Sequence, residues 1–223
     1  MTDKNGKPAV TTPTATGTEN QPEGPERFLN LYTALHNQWA KHLGGSFDKS
    51  FCICPEMWAE VKQYLTATTS VLEFGSGLST WLIQTQGVKS HIALECSPQF
   101  FEAVVSSRFV QDAEVKLREL RSRGLEGHPT YRWERKIGQY FSFVLIDGPV
   151  GSVGRNGFLD HLKTDLLSPV FTIVVDDTHR KAERELALEI VHTLGVCGVG
   201  SKSQQHGGCG KKFTVIKSEL QRE

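Results

Sequence analysis

The spacing of apolar residues along this chain changes period several times, and each change predicts an element. In "ERFLNLYTALHNQWAKHL" Phe28, Leu31, Leu35 and Trp39 recur at spacings of three and four, which predicts an amphipathic helix ending at Gly44-Gly45. A second helix, "PEMWAEVKQYL", opens with Pro55 in its first turn. From Ser70 onward short apolar runs alternate with helical patterns. "SVLEF", "HIALE", "AEVKLREL", "FSFVLID" and "FTIVVDD" read as strands. "LSTWLIQTQ", "SPQFFEAVVSSRF", "GRNGFLDHLKTDLL" and "RKAERELALEIVHTL" read as the helices between and after them. "VCGVGSK" and "KKFTVIK" close the chain as two extended runs around a Gly-rich turn, a predicted hairpin.

Continuous apolar strands alternating with helices predict an α/β fold with a mainly parallel sheet covered on both faces. Ligands of such sheets bind beyond the carboxyl ends of the strands. In this sequence those ends carry Glu73, Glu95, Asp147 and the pair Asp176-Asp177. Residues 1–25 are rich in Thr, Pro and Gly with almost no large apolar residue, which predicts a disordered tail. Residues 26–223 then form one domain, with residues 26–66 as an N-terminal helical cover. That cover either lies over the substrate side of the sheet or makes a homodimer contact through its helices.

Composition narrows the function. Lys plus Arg and Asp plus Glu are 25 each, so no global charge argues for nucleic acid or a membrane surface. No apolar run approaches the roughly 18 residues of a membrane helix. The five cysteines lack disulfide-framework spacing, and Cys52-x-Cys54 has no second pair to complete a zinc site, so a reduced, cytoplasmic protein is expected.

The turn Glu73-Phe74-Gly75-Ser76-Gly77 follows an apolar strand and precedes a helix. Glycines there permit a sharp turn and let a ligand approach the backbone closely. Glu95 lies 20 residues after Gly75, at the next strand end, where a carboxylate accepts hydrogen bonds from ribose hydroxyls. Together they point to an adenosine-containing ligand; the plainer alternative is a loop glycine pair with an exposed Glu. NAD and S-adenosylmethionine both fit to this point. Thr80 occupies the place where the dinucleotide fingerprint wants a third small residue, and Glu73 suits a cationic amino-acid portion better than a pyrophosphate.

With those residues placed, the sequence resembles the class I S-adenosylmethionine-dependent methyltransferases over residues 54–217. Gly75 and Gly77 match the family's glycine motif, with Ser76 between them. Glu73 matches its leading acid and Glu95 its ribose-binding acid. The resemblance implies a seven-stranded Rossmann-like sheet, mainly parallel with a C-terminal antiparallel hairpin and helices on both faces. It also implies S-adenosylmethionine held at Glu73, Gly75, Ser76, Gly77 and Glu95.

Asp147 and Asp176-Asp177 stand at two successive strand ends, about 4.8 Å apart if those strands are neighbours. Clustered carboxylates repel unless a cation, a proton or a cationic substrate lies between them. An all-oxygen set suits Mg2+ or Mn2+. The set resembles the metal site of catechol-type O-methyltransferases, with Asp177 where that family has Asn and without the Lys that follows its first acid. The other reading of Asp177 is a cap for the following helix. In "DGPVGSVGRNG" a Gly-rich loop carries Arg155, a candidate clamp for a substrate carboxylate or phosphate, or else the loop is a mobile surface segment. A D-G-P loop and a V-D-D stretch, each with a downstream Arg, are similar to the plant glucuronoxylan O-methyltransferase group, which implies a hydroxylated or acidic acceptor. His179 is a candidate general base beside Asp147, or a solvent-facing residue before the helix. Tyr131, Trp133 and Tyr140 line a pocket or pack. The expectation is methylation of oxygen on a small molecule, with N-methylation and a non-catalytic methyltransferase-like binding module as the alternatives.

Overall fold

A computed structural model of the chain describes residues 53–106, 110, 113–123, 128–133, 138–162, 166–208 and 210–218, with Thr33, Asn37 and Lys41 besides. These three are helical and exposed, a polar stripe at spacing four within the first predicted helix. The tail over residues 1–25, the apolar face at Phe28, Leu31, Leu35 and Trp39, and any homodimer contact through it lie outside the described residues.

The elements follow the predicted alternation. Helix α1 (Pro55–Val61) precedes strand β1 (Ser70–Phe74), α2 (Leu78–Gln84), β2 (Ser90–Glu95), α3 (Pro98–Ser106) and β3 (Glu114–Leu117). Then come β4 (Leu120–Arg123), β5 (His128–Tyr131), β6 (Phe141–Ile146), α4 (Phe158–Leu162), β7 (Leu167–Val175), α5 (Lys181–Val196), β8 (Ser201–Gly208) and β9 (Lys211–Ser218). Seven strands form one sheet in the order β3-β2-β1-β6-β7-β9-β8. The pairs from β3 to β7 are parallel, while β9 is antiparallel to both β7 and β8. This is the expected mainly parallel sheet with a closing hairpin.

The central strands have apolar residues at nearly every position because both faces are covered. Val71, Phe143, Leu145, Val174 and Val215 point to one face, against Met57, Trp58 and Val61 of α1 and Leu82 and Ile83 of α2. Leu72, Phe74, Val144, Ile146, Ile173, Val175 and Ile216 point to the other, against Phe158 and Leu162 of α4 and Leu186, Ile190 and Leu194 of α5. Each such side chain contributes about 1.5–3 kcal/mol by leaving water, so strand placement is over-determined. Among the described residues no helix is long and apolar enough to cross a membrane.

The largest departures from expectation lie in three places. The run "AEVKLREL" is two strands. Arg118 N–H reaches Glu95 O at 2.7 Å, and beyond that point β2 turns away, so the chain leaves the sheet and β4 pairs antiparallel with β5. The predicted helix over 154–167 contracts to Phe158–Leu162, and Leu167 already belongs to β7, opposite Phe141. In the hairpin, "VCGVGSK" is mostly the end of α5 and its turn, and β8 is the polar run Ser201–Gly208. A polar edge strand has no burial period to betray it, and such polarity guards an edge against further pairing. His206 therefore lies in a strand, its ring stacked on Phe213 at 5.1 Å.

Candidate functional site

The carboxyl ends of β1, β2, β6 and β7 open on one edge of the sheet, and the predicted acids gather there in two groups. The first surrounds the turn after β1. Gly75 has φ +90, and a Cβ on it would stand 3.0 Å from Gly148 N. A Cβ on Gly148 would stand 2.6 Å from Gly75 Cα and 2.8 Å from Tyr131 Oη. What approaches the Gly75 backbone is thus the loop after β6, a role the sequence reading gave to a ligand. Gly77 differs: its backbone is extended, and a Cβ there would have no atom within 4 Å. Space is open beside Gly77.

Glu95 ends β2 with its carboxylate facing this turn. Its Oε2 accepts hydrogen bonds from Ser76 N–H and Ser76 Oγ–H, both at 3.0 Å, and its Oε1 accepts from Cys96 N–H and Ser97 N–H, both at 2.8 Å. Glu95 and Ser76, both expected at a cofactor, therefore stand together. At the end of β3 a cavity of about 550 Å³ is lined by Lys116, Leu117, Arg118, Glu119, Arg132 and Trp133.

Glu73 corrects the expectation. It is fully buried, on the face of β1 that packs against α2. Ser79 Oγ–H donates to its Oε1, and His91 Nε2 lies 3.0 Å from its Oε2. Its carboxylate braces α2 and β2 from behind the turn and does not face the ligand opening. A signal for this partnership was present: an ionisable residue within an apolar strand needs a polar partner, and His91 sits at a same-face position of the adjacent strand.

The second group follows β6 and β7, which pair with Ile146 opposite Val175. One ligand atom from each of Asp147, Asp176 and Asp177 lies within 4.8 Å of the others. Burial holds the Asp147 carboxyl well above the usual carboxylate range, with repulsion from Asp176 adding to it and Arg155 offsetting part. This holds even though a fifth of the Asp147 side chain meets solvent. Asp176, 1 % exposed, is likewise raised by burial and by Asp177, and it accepts Asp177 N–H at 2.6 Å.

Asp177 is not a helix cap; Arg180 occupies the N-cap position of α5. Asp177 has φ 59, a left-handed conformation uncommon outside glycine. Its Oδ2 accepts from Arg155 at 3.0 Å and meets Arg180 at 3.1 Å, with Lys211 Nζ 3.6 Å from Oδ1. That buried Oδ1 has no hydrogen-bond partner among the described residues.

Arg155 is the second correction. It is 5 % exposed and lies beneath the acids. Its Nε donates to Pro149 O at 3.1 Å, and its Nη1 donates to Ile146 O and Asp176 O at 3.4 and 3.1 Å. Its Nη2 donates to Asp147 Oδ1 at 3.4 Å and to Asp177 Oδ2 at 3.0 Å. All five guanidinium N–H groups are used, so none is left to clamp a substrate. Burial would lower its pKa, but Asp147, Asp177 and Asp176 outweigh that and raise it. The loop that carries it is pinned, since Thr130 Oγ1–H donates to Gly157 O at 2.8 Å.

His179 is exposed in the turn before α5 and makes no hydrogen bond or ion pair with the acids, so it is not gathered with Asp147 as a base. Tyr131 and Trp133 are buried and Tyr140 is half-exposed. Tyr131 lies edge-on to Phe74, and burial pushes its hydroxyl pKa well up. Lys211 and Arg180 reach the acid cluster unpredicted. Lys211 comes from a hairpin strand remote in sequence, and only the β7–β9 pairing brings it there.

No protein-family model matches the sequence, and no curated protein matches it. Solved structures do match the fold. An O-methyltransferase from Bacillus cereus in complex with SAH aligns over 84% of this chain and 91% of its own, with TM-score 0.59 and 14% identity. The O-methyltransferase TomG from Streptomyces achromogenes, involved in tomaymycin synthesis and solved with SAM, aligns over 88% of this chain and 99% of its own, with TM-score 0.57 and 15% identity. The chain has the Rossmann-like fold of the class I S-adenosylmethionine-dependent methyltransferases.

Proposed function

We propose that this protein is an S-adenosylmethionine-dependent methyltransferase acting on an oxygen of a small hydroxylated molecule, assisted by a divalent cation. The observation that carries the reading is the meeting of two groups at one edge of the sheet: Glu95 with the glycine turn, and the three aspartates after β6 and β7. The likeness to O-methyltransferases solved with SAH and SAM supports it.

The residues present fit an adenosyl ligand. Gly77 leaves open space, and Glu95 at the end of β2 turns its carboxylate to the glycine turn, where the bond from the Ser76 hydroxyl is the one a ribose hydroxyl can replace. When bound, S-adenosylmethionine supplies an electrophilic methyl group on a sulfonium centre. The chain's task is to align the acceptor oxygen with that methyl and to lower its affinity for a proton. The residues also fit a hard divalent cation, because Asp147, Asp176 and Asp177 form an all-oxygen set; buried Asp177 Oδ1 accepts no hydrogen bond, and the cation would take the place beside it that Lys211 Nζ holds at 3.6 Å. Such a cation, held by these three, would supply Lewis acidity toward an alkoxide or phenolate oxygen. Arg155 holds Asp147 and Asp177 in register from below.

Calorimetry tests the reading. S-adenosylhomocysteine is expected to bind with Kd on the order of micromolar, and NAD to give no heat. No heat from S-adenosylhomocysteine overturns the proposal. Methyl transfer to catechol-like or other hydroxylated acceptors is expected to stop in chelator and return with Mg2+ or Mn2+; full activity in chelator removes the cation from the mechanism.

A further inference from the structure

The Glu95 carboxylate is already saturated. A carboxylate offers about four acceptor sites, and Ser76 N–H, Ser76 Oγ–H, Cys96 N–H and Ser97 N–H fill them at 2.8–3.0 Å. Three of these donors are backbone groups held by their own turns. Cys96 and Ser97 lead into α3, where Phe101 N–H donates to Ser97 O at 2.9 Å, and Ser76 follows Gly75, whose N–H donates to Leu94 O at 2.8 Å. Of these four donors the Ser76 hydroxyl is the one that a side-chain rotation withdraws, and the Cys96 thiol also stands within reach of the same carboxylate.

We infer that Ser76 is a specificity-determining residue of the cofactor site: its hydroxyl holds the place on Glu95 that a ribose hydroxyl has to take. The inference rests on the adenosyl-ligand reading above. Binding a ribonucleoside then exchanges one hydroxyl for another on the same charged oxygen, and the exchange yields little net affinity because both bonds are charge-assisted. A ligand without ribose hydroxyls leaves Ser76 in place and loses little. The wild-type protein is therefore a weak discriminator between ribose and dideoxyribose. Removing the Ser76 hydroxyl leaves an acceptor for which no serine hydroxyl competes with the ligand's ribose, and the discrimination sharpens.

The experiment is calorimetric titration of the full chain and its Ser76→Ala, Ser76→Gly and Ser76→Thr variants with S-adenosylhomocysteine and with its 2′,3′-dideoxy analogue. The readout is the ratio of the two affinities within each protein, which changes in overall stability do not move. The ratio is expected to rise about five-fold in Ser76→Ala and Ser76→Gly and to stay at the wild-type value in Ser76→Thr, which keeps the hydroxyl. An unchanged or lower ratio in Ser76→Ala and Ser76→Gly overturns this inference alone. Absence of heat from S-adenosylhomocysteine with the wild-type chain overturns the adenosyl reading and this inference with it.

Discussion

Gly75 and Gly77 sit two residues apart and do different work. Gly75 is required by its φ of +90 and by the Gly148 backbone against it, so Gly75→Ala is expected to lower stability by about 1–3 kcal/mol in a denaturant melt. Gly77 has extended backbone and open space but is the N-cap of α2, so Gly77→Val is expected to cost about 0.5–1 kcal/mol, less than Gly75→Ala, while weakening S-adenosylhomocysteine at least about ten-fold. Equal stability losses in the two would show that Gly77 also serves packing. At Asp147 the raised carboxyl gives a signed pH dependence. Its folded pKa lies above the unfolded value of about 3.9, so the folded state binds more protons between the two. Stability is then full below the unfolded value and falls as pH rises through the folded one. Asp147→Asn abolishes that titration. In chelator the variant should melt above wild type at pH 8, with the difference shrinking toward pH 4; a difference independent of pH would assign the effect to something other than charge.

At the scale of elements, the loop from β6 to α4 looks loose in sequence because of its glycines, yet it is held on both sides. Arg155 anchors it to the acid cluster, and Gly157 lies against β5, where a Cβ would come within 2.2 Å of Pro129 O and 2.7 Å of Thr130 Cα. Backbone atoms cannot yield as a side-chain tip can. Gly157→Ala is therefore expected to cost roughly 1–3 kcal/mol, a fall in Tm of about 2–4 °C per kcal/mol for a chain of this size. An unchanged Tm would mean that β5 and the loop move apart freely. The small sheet of β4 and β5 thus has a purpose: it supplies Tyr131 against Phe74 and Thr130 against Gly157. It positions the loop that carries Arg155.

At the scale of the whole molecule, two half-sites built on different strands meet only because the order β2-β1-β6-β7-β9 puts their ends side by side. A cation that binds the folded aspartates and not the unfolded chain stabilises by mass action, about 2.7 kcal/mol at a hundred-fold excess over Kd. Mg2+ or Mn2+ is expected to raise Tm of the wild-type chain by several degrees and to leave Asp176→Asn unmoved. A cation effect equal in both would place the ion elsewhere.

The alternation of apolar strands and helices, and the acids at the strand ends, were legible from residue order because burial imposes a local period and because a charge in or beside an apolar strand is conspicuous. That is why β1, β2, β6, the core of β7 and α5 emerge close to their observed bounds, and why Glu95, Asp147, Asp176 and Asp177 stand at the strand ends that gather at one edge of the sheet. The polar edge strand β8 and the break between β3 and β4 left no such period. Partnership was decided by tertiary structure alone. Glu73 turns to Ser79 and His91, Arg155 turns inward to five acceptors, and Lys211 arrives from the far hairpin. Each outcome depends on which groups a buried charge meets in space. A buried charge takes whatever partners relieve its desolvation, and chain order does not record who they are.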